Sequence, residues 1–178
     1  MHKVEWLDVF RPKEKDLKNL GKRFGIHPVI LDELRGPSTR SHVELHKNYI
    51  YLVYYFPIFD PVEEISVMTE VDFLITKNAV ITVSYEKLEA LRYVKTKVAE
   101  TPMRLAYHII QALLNFQERQ LRHIREKTEA VGRELFKDRE KETLRHISKI
   151  KRDVSEYRLI VKHQGPILQS LMEKGAGF

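Results

Sequence analysis

The chain has 178 residues, 43% hydrophobic and 31% charged, and its 31 Lys and Arg against 25 Asp and Glu leave a formal charge of +6. That length suits one globular domain able to bury about 70% of its unfolded surface without a staple. The sequence has no cysteine, which excludes disulfides, zinc–thiolate sites, iron–sulfur clusters and thiol nucleophiles, and no run of about 18 apolar residues to span a bilayer.

Val4–Val9 reads as a short strand, ended by Arg11-Pro12. Leu17, Leu20 and Phe24 recur at helical spacing, with Gly25 as the stop. Pro28 suits a helix start, so Val29–Leu34 is expected as a short helix. Gly36–Thr39 is a loop by composition. Val43 and Leu45 alternate with His42, Glu44 and His46, as in an edge strand, and Tyr49–Phe56 is an aromatic and β-branched strand. The longest apolar run, Tyr49–Phe59, is too short and too rich in tyrosine to be a membrane span. Asp60-Pro61 opens a loop. Val67–Thr76 and Ala79–Ser84 then flank Lys77-Asn78, a hairpin whose turn is expected to use the tolerance of Asn78 for positive φ. Glu86–Val98 is expected to be helical, burying Leu88, Leu91 and Val98.

At Thr101-Pro102 the pattern changes from alternation to a three-to-four-residue period. Thr101 can cap and Pro102 fits the first helical position. Leu105, Ile109, Ala112, Leu113 and Phe116 form a stripe, continued more thinly by Ile124, Val131 and Leu135. Asp138 can cap a second helix with Leu144, Ile147, Ile150, Val154, Tyr157 and Val161 as its inward face. Gly165-Pro166 should kink or break that helix, and Gly175–Phe178 reads as a linker. The expected fold is therefore α/β: a mixed sheet with flanking helices over residues 1–100, then a long antiparallel helical hairpin over 101–178. Residues 1–100 hold 15 basic and 15 acidic side chains, so the hairpin, with 16 and 10, carries the whole +6.

Asp32-Glu33 could supply oxygen ligands to a hard divalent cation such as Mg²⁺, which takes one or two carboxylates and keeps several waters; an exposed helix end is the plainer alternative. His42, Glu44 and His46 share one strand face and could bind zinc, or simply form a solvated face. The basic hairpin could bind nucleic acid or another anion, but its Arg and Lys are interleaved with Glu, the pattern of an ion-paired surface. No phosphate-binding glycine loop, nucleophile elbow, deaminase or protease pattern appears, and no enzyme activity is expected.

The order of elements carries a resemblance. Phe24-Gly25-Ile26-His27-Pro28-Val29-Ile30-Leu31-Asp32-Glu33-Leu34, then Asn48–Val53, then Glu70–Thr82 with its Leu74-Ile75-Thr76-Lys77-Asn78 run, and finally Arg139–Thr143 and Lys149–Arg152 resemble the CorA family of divalent-cation transporters, across roughly residues 5–172. The resemblance implies a cytoplasmic regulatory domain on the inner face of the cell membrane, preceding a stalk helix and two membrane spans that would lie beyond this chain. It implies a homopentamer in the full-length protein, with this fragment a soluble monomer or non-native dimer. It also implies a regulatory Mg²⁺, or another divalent cation, at a carboxylate in the helix after Gly25-Ile26-His27-Pro28, a place that Glu33 holds here with Asp32 beside it. Two departures leave zinc- or cobalt/nickel-transporting relatives as alternatives: Glu33 stands where a shorter acid is usual, and the hairpin is basic where magnesium transporters of this family are often acidic.

Overall fold

The computed structural model describes residues 4–94, 99–134 and 140–178. The strands β1 (Glu5–Phe10), β2 (His42–Leu45), β3 (Tyr49–Asp60), β4 (Ile65–Thr76) and β5 (Ala79–Ser84) form one five-stranded sheet in the order β1-β5-β4-β3-β2. β1 runs parallel to β5 and the other neighbours are antiparallel. The central strands are covered on both faces. That is why they read as nearly unbroken apolar runs rather than as clean alternation.

One face is covered by α1 (Glu14–Phe24) and α2 (Pro28–Glu33), where Leu17, Leu20 and Ile30 pack with Tyr51, Val53, Leu74 and Ile81. The other face is covered by α3 (Pro102–Glu134) and α5 (Gln164–Gly175), where Leu105, Ile109, Leu113 and Leu171 meet Ile50, Leu52, Phe73 and Ile75. The alternate residues of β3 and β4 thus serve two different cores. α4 (Glu140–Lys162) returns antiparallel to α3, with the Tyr157 hydroxyl donating to the Gln117 carbonyl at 2.9 Å. The expected mixed sheet, flanking helices and long helical hairpin are all present.

The sheet is longest where β3 and β4 run past their outer neighbours. β2 pairs only with Ile50–Val53, and β5 only with Val71–Ile75. The remaining β3–β4 ribbon lies along α3 and α4. Asp153 of α4 accepts the Ser66 N–H at 2.7 Å, on a stretch of β4 that β5 does not pair. At the ribbon's turn Lys149 pairs with Glu64 and Arg152 with Glu63, and the Lys127 ammonium sits 4.5 Å from the centre of the Phe59 ring. This free edge also explains how β3 runs on through Pro57. Gln164 donates to the Tyr55 carbonyl from the side β2 has vacated, and proline is tolerated where no neighbouring strand needs its N–H.

Gly25 ends α1 at φ +67°, with its N–H bonded to the Gly21 carbonyl at 3.0 Å. Gly175 allows close approach: a Cβ there would lie 2.8 Å from Met103 Cε. It is part of α5, and Phe178 beyond it packs against the core, so the segment read as a linker is folded.

Three further expectations are corrected. The Lys77-Asn78 turn uses no positive φ. Among the described residues only Arg11, Gly25 and Glu64 have one, and the turn is closed by Thr76 Oγ1, which accepts from Ala79 N–H and donates to Ala79 O, both at 3.0 Å. The helix expected from Glu86 is a short 3₁₀ turn over Glu89–Tyr93, although Leu88 and Leu91 are buried as expected. The inward face of α4 is not the apolar stripe: Leu144 is 65% exposed, and Ile147 and Val154 are exposed too. Of the expected positions Tyr157 is buried, and Thr143, Asp153 and Ile160 are buried in place of the others. Hydrogen bonds to β4 and α3 fix that rotation, and hydrophobic periodicity does not register polar anchors. Val98, Leu135 and Asp138 lie outside the described residues.

Candidate functional site

α2 is a six-residue helix held at its start. His27 caps it, its Nδ1 accepting from Val29 N–H at 3.3 Å, while the His27 N–H donates to the Tyr49 hydroxyl at 3.1 Å. Pro28 supplies the preset φ of the first turn. The close approach of α2 to α1 is made by Gly21, where a Cβ would stand 2.7 Å from Leu31 Cδ1.

The two acids at the end of α2 face different partners. Asp32 Oδ1 accepts from Arg35 Nε at 2.8 Å, and Arg35 Nη1 reaches Glu14 Oε2 at 2.5 Å. Glu14 first, then Asp32, raises the guanidinium pKa above its ordinary value. Glu33 turns toward the sheet edge, its Oε2 3.9 Å from His42 Nε2, and its side chain stays 39% exposed. A cation at Glu33 would therefore meet one open carboxylate, with Asp32 offering its second oxygen from a neighbouring position.

His42, Glu44 and His46 do share the β2 edge. Glu44 bridges the two imidazoles, at 3.5 Å from His42 Nε2 and 3.2 Å from His46 Nε2. His42 meets the Tyr51 ring edge-on and His46 stacks on Tyr49. Among the described residues no group of three or more His, Cys, Asp or Glu is placed to hold a metal. Any cation at α2 thus needs water, or a second subunit, to complete its shell. The acceptance of water by hard cations such as Mg²⁺ makes a lone carboxylate a fitting contributor.

Beneath α2 lies a polar floor that sequence reading missed. Glu70 and Asp72 on β4 are 3% and 0% exposed. Ser38 N–H donates to Glu70 Oε2 at 2.8 Å, and the Tyr85 hydroxyl donates to Asp72 Oδ2 at 3.0 Å. Burial, followed by the charge of Glu70, pushes the Asp72 carboxyl well above the usual carboxylate range, and burial raises Glu70 as well. The signal was present in the sequence: two acids at i and i+2 within an otherwise apolar strand.

Part of the basic charge of the helical hairpin is tied up in ion pairs. Arg125 pairs with Glu129 at 3.3 Å and His123 with Glu126 at 3.3 Å, while Arg152 reaches Glu63 at 3.5 Å. No helix among the described residues is long and apolar enough to cross a membrane.

The family model described as CorA-like Mg²⁺ transporter protein matches residues 2–177. The chain belongs to that family. It is 26% identical over 179 residues to the cobalt/magnesium transport protein CorA of Thermotoga maritima, covering 93% of this chain and 50% of that protein. The chain therefore spans about half the length of that relative. The complete CorA magnesium transporter of Methanocaldococcus jannaschii superposes with a TM-score of 0.80 at 21% identity, over 93% of this chain and 54% of that one. The ZntB cytoplasmic domain of Vibrio parahaemolyticus superposes with a TM-score of 0.73 at 16% identity, over 96% and 69%. The CorA-like resemblance and the fold drawn from the sequence both stand, and the family is one of transporters rather than enzymes.

Proposed function

We propose that this chain is the cytoplasmic regulatory domain of a divalent-cation transporter, sensing the cation it helps to move, with magnesium as the ion that fits best. The supporting observation is the family match over residues 2–177, carried on a fold that keeps Glu33 open at the end of a capped, rigidly seated helix. In this reading Glu33, with Asp32 beside it, faces an acidic group of a neighbouring subunit in a homopentamer. The cation bridges carboxylates that would otherwise repel, and its loss loosens the ring. The membrane is reached through segments beyond this chain. The 178-residue chain alone is expected to be a monomer or a non-native dimer, and a stable pentamer by light scattering would contradict this.

The test is limited proteolysis of the full-length protein across a Mg²⁺ titration. Glu33→Ala should shift the protecting concentration upward, and unchanged protection would remove Glu33 from the sensor. The net basic helical hairpin would not concentrate cations, which weakens the choice of magnesium and keeps a second reading open, a zinc-, cobalt- or nickel-transporting relative. Uptake measured with each ion in turn separates the two. The third reading, binding of nucleic acid or another anion by the hairpin, predicts affinity that falls steeply with salt; no binding at low ionic strength eliminates it.

A further inference from the structure

We infer that Glu70 and Asp72 form a buried proton-binding site that fastens the Ser38 segment, and with it the end of α2, to the sheet. The two side chains stand two residues apart on the β4 face that α1 and α2 cover, and each acts on the other electrostatically. Each has one oxygen held. Glu70 Oε2 takes the Ser38 N–H, and Asp72 Oδ2 takes the Tyr85 hydroxyl. Each also has one buried oxygen, Glu70 Oε1 and Asp72 Oδ1, that meets no donor. The Ser38 and Tyr51 hydroxyls near them are likewise without partners, but a proton shared between the two carboxyls satisfies both orphaned acceptors at once.

The surroundings leave the proton as the fitting occupant. Among the described residues no Lys or Arg is one of the leading influences on the pair. Glu33 of α2 acts on Asp72 through space and adds negative charge. His42 of β2 acts on Glu70, but its Nε2 is directed at Glu44 and Glu33, at 3.5 and 3.9 Å. From β3 the Tyr55 hydroxyl donates to the Ser38 carbonyl at 2.9 Å, and Tyr51 is a buried neutral phenol whose own titration is pushed up by burial. From the end of β5 comes Tyr85, already committed to Asp72. Two full charges side by side in such a place repel each other and are poorly solvated. One charge, held by the Ser38 N–H and the Tyr85 hydroxyl, is well accommodated.

Ser38 is the mechanical consequence. It is joined to the pair through its N–H and to Tyr55 through its carbonyl, in the segment that links α2 to β2. Loss of the shared proton sets the carboxyls against each other and against Glu33, and releases Ser38. The site does not depend on the cation reading, and its test is run in chelator so that the two fail separately.

The test is a carbon-detected NMR titration of the side-chain carboxyls of the 178-residue chain in EDTA, with hydrogen exchange of the Ser38 amide followed in parallel. One carboxyl of the pair should keep its proton at neutral pH, well above where the surface acids titrate. Ser38 protection, corrected for the intrinsic pH dependence of exchange, should fall about tenfold or more as that proton leaves. Asp72→Asn supplies a permanent amide donor to Glu70, so Glu70 should then titrate in the ordinary range and Ser38 protection should become flat with pH. Titration of both wild-type carboxyls in the ordinary range would overturn the proposal, as would the same pH dependence at Ser38 in Asp72→Asn. Should that variant fail to fold, the wild-type titration alone decides.

Discussion

The side-chain amides of Gln117 and Gln164 donate to each other, at 2.9 and 2.8 Å, inside the contact between α3 and α5. Gln164 also donates to the Tyr55 carbonyl at 3.0 Å, so one buried amide joins two helices and the vacated edge of β3. It does so directly after the break between α4 and α5 at His163. Gln164→Ala would leave the Gln117 amide and the Tyr55 carbonyl unpaired away from water. It should destabilise the chain by about 2–3 kcal/mol and lower Tm by roughly 5–10 °C in a thermal melt.

The buried acids give the stability of the chain a definite pH slope. Carboxyls raised in the folded state hold protons that the unfolded chain has already released. Their contribution is fully present below the unfolded carboxylate range and declines as pH rises through the folded value. Urea denaturation from pH 5 upward should therefore show stability falling for the wild type relative to Asp72→Asn. An equal slope in the two proteins would contradict this.

Arg35 occupies one oxygen of Asp32, Oδ1, at the end of α2. The pairs it makes with Asp32 and Glu14 are exposed, so Arg35→Ala should leave the stability of the chain nearly unchanged. In the full-length protein the same change frees both oxygens of Asp32. The Mg²⁺ concentration needed for protection from proteolysis should fall, opposite in direction to Glu33→Ala.

The two apolar patterns of the helical hairpin should respond oppositely to substitution. Leu105→Ala empties a site packed between α3 and the sheet and should cost about 2–5 kcal/mol. Leu144→Lys, on the outward face of α4, should change the stability of this chain by no more than about 0.5 kcal/mol. Chemical denaturation of both variants checks the corrected rotation of α4.

The contrast between these helices also marks what the sequence could reveal. The strands, the Gly25 stop and the stripe of α3 were legible because apolar burial and backbone punctuation are written in residue type. The face of α4 was legible only at Tyr157, because Asp153 and Thr143 are polar residues buried by contacts that lie far away in the chain. The Lys77-Asn78 turn was placed correctly on a mistaken mechanism, since Thr76 does the work assigned to Asn78. Glu33 and Asp32 were legible as a pair. That they face apart, toward His42 and Arg35, is a tertiary fact, and so is the adjacency of Glu70 and Asp72 to the segment after α2.

The β3–β4 ribbon that runs out beside α3 and α4 gives the molecule the mechanics of a braced beam. α3 is about 50 Å long at 1.5 Å per residue, and a helix pair of that length standing alone bends easily. Here it is joined part-way along to the ribbon's turn through Glu63, Glu64 and Phe59, and its near end is keyed into the sheet by Leu105 and Ile109. Bending the pair therefore means shearing the ribbon's own ladder of hydrogen bonds, a stiff mode. A push on the helix tips is passed to the sheet, and so to the floor under α2, as rotation of one solid piece rather than as flexing of an appendage.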